Sequence, residues 1–245
     1  MVLPGAAALV RGLVAAMIAL AGALWGWNRL RSAPEPPAES DQGAWVKPAY
    51  RDIADARLLT VALTLALVLA GLATTTWTPG RPVAIWLPVL SAWAVSAGVG
   101  TVAVLCDLRT TYLPAALLLP WAWLTAATVL ILAGGTVAAE RGRAAGPLLR
   151  LFACVAVARI AFWLWWRFGG GLGFGDVRLA SILGADAAMV SVSTWRTWLV
   201  VGTVLGAAWA VVVALARRRR PSTLGSAFPY GPALAIGAWI ALATG

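Results

Sequence analysis

The chain is a succession of apolar runs, near residues 6 to 27, 58 to 77, 83 to 106, 115 to 135, 148 to 167, 197 to 216 and 226 to 243. Most are close to the roughly 20 residues that a helix needs to cross the hydrocarbon core of a bilayer. Hydrophobic residues make up 61% of the 245 and charged residues 11%, far more apolar surface than a soluble domain could hide inside itself. Lipid is therefore the expected solvent, and the expected fold is an all-α polytopic membrane bundle with seven clear spans. The segment from Val177 to Thr194 is weaker, because Gly184 and Asp186 interrupt it. Crossing as a short helix partly buried in protein, it would bring the count to eight.

The formal charge of +10 raises the question of a nucleic-acid partner, but the basic residues sit between the apolar runs and form no patch on a soluble domain. With eight spans and the N-terminus outside, the inner loops hold Arg29, Arg31, Lys47, Arg51, Arg57, Arg109, Arg167, Arg178 and Arg217 to Arg220, twelve of the nineteen. Arg11, Arg81, Arg141, Arg143, Arg150 and Arg196 fall outside, and Arg159 lies within a span. The Arg217 to Arg220 block is the strongest anchor, and the positive-inside rule places it in the cytoplasm of an inner (cytoplasmic) membrane protein. Residues 1 to 27 are expected to remain as a first span: the run is longer than the apolar core of a signal peptide, and no small-x-small cleavage site follows. Residues 28 to 57 read as a short polar cytoplasmic loop, and residues 58 to 245 as the main membrane domain. Many of the 15 tryptophans fall near span ends, where amphipathic rings favour the headgroup level.

What is missing narrows the chemistry. There is no histidine, which removes Ser-His and Cys-His hydrolases and His-ligated zinc sites. The single lysine, Lys47, lies in the polar loop, and the two cysteines, Cys106 and Cys154, fall within apolar runs as small buried residues. No metal site and no cofactor are expected. Acid/base work is left to nine carboxylates: Glu35, Glu39, Asp41, Asp52, Asp55, Asp107, Glu140, Asp176 and Asp186.

An ionisable residue at the edge of an apolar span is costly and marks function by default. Asp107 closes the run 83 to 106, and Pro114 then starts the next span, where a missing N–H costs least. Asp176 follows the glycine-rich stretch 169 to 175 and opens a helix, where it is expected to act as N-cap. Eight spans put both aspartates on the cytoplasmic face. Two carboxylates at a shared site cannot both ionise cheaply, so the pair holds one proton near neutral pH. The ionised member can take a proton from water and the neutral member can polarise a carbonyl, which hydrolyses a peptide without a metal or a covalent intermediate. Gly173 and Gly175 would leave room for an extended substrate backbone. Asp186 is expected across the membrane from the pair, in an outer loop or at a helix cap.

Three segments in this order resemble the type IV prepilin peptidases, a branch of the Gly-x-Gly-Asp membrane aspartyl proteases. Asp107-Leu108-Arg109 with Leu113-Pro114 and Pro120 is similar to the family's first aspartate segment. Gly173-Phe174-Gly175-Asp176-Val177-Arg178-Leu179-Ala180 is similar to its Gly-x-Gly-Asp segment, and Phe228-Pro229-Tyr230-Gly231-Pro232-Ala233-Leu234 to the run that opens its last span. The resemblance covers residues 58 to 243 and implies cleavage of the short basic leader of prepilin-like protein substrates at the cytoplasmic face. Asp107 and Asp176 would be the catalytic pair, with Gly173, Gly175, Arg109 and Arg178 as candidate substrate contacts. Many members carry a larger first cytoplasmic domain with two zinc-binding Cys-x-x-Cys pairs and an N-methyltransferase activity. Residues 28 to 57 contain no cysteine, so peptidase activity alone is expected.

The competing reading is a non-catalytic polytopic transporter or pilus-assembly factor that uses the same aspartates to bind protons or partners. Pro232-Ala233-Leu234 also gives some likeness to presenilin-like proteases, but the Leu113-Pro114 context fits the prepilin enzymes better. The loop acids Glu35, Glu39, Asp41, Asp52 and Asp55 are placed to steer a basic leader weakly. Neutralising all five should raise the apparent KM for a prepilin-like substrate and flatten its dependence on salt. An unchanged KM at every ionic strength would make the loop a linker only.

Overall fold

The computed structural model describes residues 4–34, 48–76, 81–140, 142–169, 172–219 and 228–245, and among them it contains helices and no strands. The helices are α1 (Pro4–Arg31), α2 (Tyr50–Ile53), α3 (Ala56–Ala73), α4 (Val83–Val95), α5 (Thr101–Thr110), α6 (Ala115–Glu140), α7 (Ala145–Leu164), α8 (Phe174–Val190), α9 (Val192–Arg219) and α10 (Gly231–Thr244). A π-helical turn, Ser96–Gly100, joins α4 to α5 in one continuous pass, and a second, Trp165–Gly169, extends α7. Six of the passes are long and apolar enough to cross a membrane, and α10 is a shorter apolar helix. The chain is thus an all-α, multi-pass membrane bundle. The first helix runs on to Arg31 instead of stopping at residue 27, with Arg29 and Arg31 in its last turn, where cations complement the helix dipole. The loop positions Glu35, Glu39, Asp41 and Lys47, and Arg220 of the basic block, lie outside the described residues, as do the side chains of Arg217 to Arg219.

In lipid there is no hydrophobic force to bring apolar helices together, so close backbone packing between small residues carries the association. Ala15, Ala19 and Ala23 of α1 are buried at a spacing of four, and so are Leu58, Ala62, Ala66 and Ala70 of α3, placing one stripe of each helix inward. The π-turn makes the closest approach: a Cβ on Gly98 would stand 2.2 Å from the Ala19 carbonyl oxygen and 2.9 Å from the Ala23 nitrogen.

Helix α8 explains why its segment reads weakly in the sequence. Eleven of its 17 residues are buried, and it packs against α4, α6, α7, α9 and α10, so protein rather than lipid surrounds it. Gly184 fits under Ala158 and Trp198, where a Cβ would come within 2.9 Å of the alanine. Its far end, Ala188 to Val190, lines one cavity of about 770 Å³ together with Arg81 and Pro82 before α4, Glu140 at the end of α6 and Pro147 at the start of α7. Helix α8 therefore runs the full depth of the bundle, about 25 Å at 1.5 Å per residue. Among the described residues it is a further helix of the bundle beside the six long apolar passes and α10.

At the opposite end, which carries Asp107 and Asp176, residues 50 to 55 are tied to two passes. The Trp27 indole N–H donates to the Ala54 carbonyl at 3.0 Å, and Arg109 donates to the Ile53 carbonyl at 3.0 Å. Asp55 caps α3 by accepting from the Leu58 amide at 2.7 Å, and lies 3.6 Å from the Arg109 guanidinium. That backbone bond, with the Arg109 charge behind it, holds the Asp55 carboxyl below its ordinary range.

A group held low in this way contributes stability above its unfolded pKa and loses it as the pH falls through its folded pKa. Asp55→Asn should lower the melting temperature in detergent at pH 7. The gap to the native chain should close as the pH falls below about 4; a gap that persists at pH 3 would show that the carboxylate charge is not what the substitution removed. Gly98→Ala should destabilise by about 1–3 kcal/mol through overpacking against α1. Gly71→Ala, where no atom lies within 4 Å of the added Cβ, should be neutral or stabilising by about 0.5–1 kcal/mol. Thermal unfolding of the two variants checks the pair.

Candidate active site

Asp107 sits in the last turn of α5. Its carbonyl accepts from the Thr111 amide at 2.7 Å, and Thr111 closes the helix in the left-handed region at φ 56°. The Thr110 hydroxyl donates to the Cys106 carbonyl at 2.8 Å and accepts from the Tyr112 amide at 3.2 Å, so the turn into Leu113-Pro114 is pinned from both sides. Helix α6 starts immediately after Pro114, whose carbonyl accepts from the Leu117 and Leu118 amides. The proline begins the next pass as the sequence implies.

Asp176 is not the N-cap of α8. Gly173 holds that place in extended backbone, and Asp176 is the third helical residue, its Oδ2 reaching back to accept from the Gly173 amide at 2.9 Å. The carboxylate thereby satisfies one N–H that a helix start leaves unpaired, and it lies at the positive end of the helix. Both aspartates are nearly buried, Asp107 at 3% exposure and Asp176 at 8%.

The third segment closes the site. The Gly231 amide, at the N-terminus of α10, donates to Asp107 Oδ2 at 2.9 Å. A Cβ on Gly231 would fall 2.8 Å from that same oxygen and 3.2 Å from the Leu179 side chain of α8, so only glycine lets α10 approach Asp107 and α8 together. Helix α8 also meets the Asp107 turn directly: a Cβ on Gly175 would be 2.8 Å from the Leu113 Cβ. Three segments far apart in the chain thus converge at one end of the bundle. Gly231 lies in the third motif, but the sequence does not mark it as a partner of Asp107, because a backbone amide is supplied by every non-proline residue and carries no side-chain signal.

The secondary residues divide. Gly173 is exposed beside Asp176, whereas the space over Gly175 is taken by Leu113. The Arg109 guanidinium is held by the Ile53 carbonyl and Asp55, and Arg178 stacks over the Phe174 ring at 4.8 Å on the α7 side of α8. Cys106 and Cys154 are free and buried. Asp186, expected in an outer loop or at a cap, is instead fully buried inside the bundle, because α8 is enclosed by protein at that depth. Among the described residues no group of three or more His, Cys, Asp or Glu side chains could hold a metal ion.

No family model matches the chain, and no solved structure does. The chain is similar to the prepilin leader peptidase/N-methyltransferase of Pseudomonas putida, with 36% identity over 92 residues. That similarity takes in 34% of this chain and spans 28% of the relative's length.

Proposed function

We propose that this protein is an aspartic endopeptidase of the cytoplasmic membrane that removes the leader of prepilin-like precursors, with Asp107 and Asp176 as the catalytic pair facing the cytoplasm. The observation that carries the reading is the convergence of two nearly buried carboxylates at one end of an apolar bundle, with the Gly231 amide on one and the Gly173 amide on the other. The similarity to a prepilin leader peptidase supports the same substrate class.

Each carboxylate has one oxygen engaged by a backbone N–H, which orients the group and leaves its second oxygen for chemistry. In the reaction, the ionised member takes a proton from a water held between the pair, and that water attacks the scissile carbonyl while the protonated member donates to its oxygen. The gem-diol intermediate collapses as the first aspartate protonates the departing amide nitrogen and the second takes a proton back from a gem-diol hydroxyl while the product carboxyl forms, which returns the pair to its starting state. Helix N-termini behind both carboxylates favour the negative charge that the pair shares. Residues 58 to 245 form the catalytic unit in this reading, and residues 28 to 57 serve as a polar loop without methyltransferase activity.

Asp107→Asn and Asp176→Asn keep the shape of the side chain and an oxygen that can accept from the same amide. Each should lower cleavage of a prepilin-like substrate in detergent by about 10²–10⁴-fold, the contribution of a positioned acid or base. Helical content and elution volume should be unchanged. Native rates in either variant would sink the reading and favour a transporter or assembly factor.

A further inference from the structure

Midway along the pass that carries Asp107, the π-turn begins at Ser96, and the Ser96 hydroxyl donates to Asp186 Oδ2 of α8. The Trp93 indole N–H donates to the Asp186 backbone carbonyl at 3.2 Å, and the Trp121 indole N–H donates to the Ser96 oxygen at 3.2 Å. Trp93 of α4 and Ser96 of the π-turn stand three positions apart in one continuous pass, and they hold the main chain and the side chain of a single residue of α8. All four residues are buried, Asp186 completely. Its second oxygen, Oδ1, has no hydrogen-bond partner among the described residues.

A carboxyl group half satisfied in the middle of a membrane bundle is a poor device for stability alone. Leucine or methionine would pack α8 against α4 without burying an unpaired oxygen. A directional hydrogen bond does something that such packing does not: it admits one axial and rotational setting of two helices, where rows of small apolar residues tolerate sliding. Asp186 lies ten residues beyond Asp176, about 15 Å along α8, and Ser96 lies eleven residues before Asp107, about 16 Å along its own pass. The two helices run in opposite directions and carry one catalytic carboxylate each, so this contact and the site itself are rungs at matching depths.

We infer that Asp186 is the positioning residue of the catalytic pair, its contacts with Ser96 and Trp93 locking α8 to the α4–α5 pass and so setting the separation of Asp107 and Asp176. The inference rests on the peptidase reading above.

The test uses the full chain in detergent. Asp186→Leu should lower kcat about ten- to a hundredfold, as expected for a shift near 1 Å at the site, with KM within about twofold. Asp186→Asn, which keeps the shape and an acceptor for Ser96, should recover to within about threefold of the native kcat. Separately, Asp107→Cys and Asp176→Cys are introduced with Cys106→Ala and Cys154→Ala, and bis-thiosulfonate linkers of graded length are compared. Asp186→Leu should change the linker length that reacts fastest. If Asp186→Leu alone does not fold, the double variant Ser96→Ala/Asp186→Leu, apolar at both positions, is read in its place. Native kcat with an unchanged linker profile overturns the inference. So does an Asp186→Asn variant as impaired as Asp186→Leu with the linker profile unmoved, since Asp186 would then act through its proton. Cleavage that survives Asp107→Asn overturns the peptidase reading instead, and the linker comparison, which needs no catalysis, still decides the positioning role.

Discussion

The hydrogen bond from the Gly231 amide to Asp107 is the contact on which the site depends. It joins the end of one pass to the start of the last and presents the positive end of a helix to a nearly buried carboxylate. It forms only because position 231 has no Cβ, since one would fall 2.8 Å from the carboxylate oxygen and 3.2 Å from Leu179. The same absence lets α8 come up beside Asp107 and bring Asp176 with it. A charge that would be expensive in lipid is thereby enclosed by protein dipoles.

The scaffold follows from the solvent. Apolar helices gain nothing from meeting one another in lipid, so the bundle is held where small residues allow backbones to approach: the alanine stripes of α1 and α3, and Gly98 against Ala19 and Ala23. Polar bonds inside the bundle are few and specific. Asp186, Ser96, Trp93 and Trp121 make one such cluster at mid-depth, and Arg109 makes another where the first loop meets α5 and α3. Each ties together passes that packing alone would leave free to slide.

How much of this was legible differs from residue to residue. Seven passes are plain in the runs of apolar residues, because lipid-facing helices must be apolar over the whole thickness of the bilayer. Helix α8 is faint for the opposite reason: protein surrounds it, and Gly184 and Asp186 are tolerated where lipid would reject them. Asp107 and Asp176 stand out as carboxylates at span edges. Arg109 and Arg178 carry no comparable signal, for an arginine two residues from an aspartate reads the same whether it meets a substrate, a carbonyl or an aromatic ring.

Chain order and composition determine the all-α membrane bundle and its seven clear apolar runs, since both follow from hydropathy along the chain. The tertiary structure decided what Asp107 and Asp176 touch. Gly173 rather than Asp176 caps α8, because the third helical position lets a carboxylate reach back to an unpaired amide. Asp186 left the edge for the centre, because enclosure of α8 depends on five other helices that no local pattern encodes.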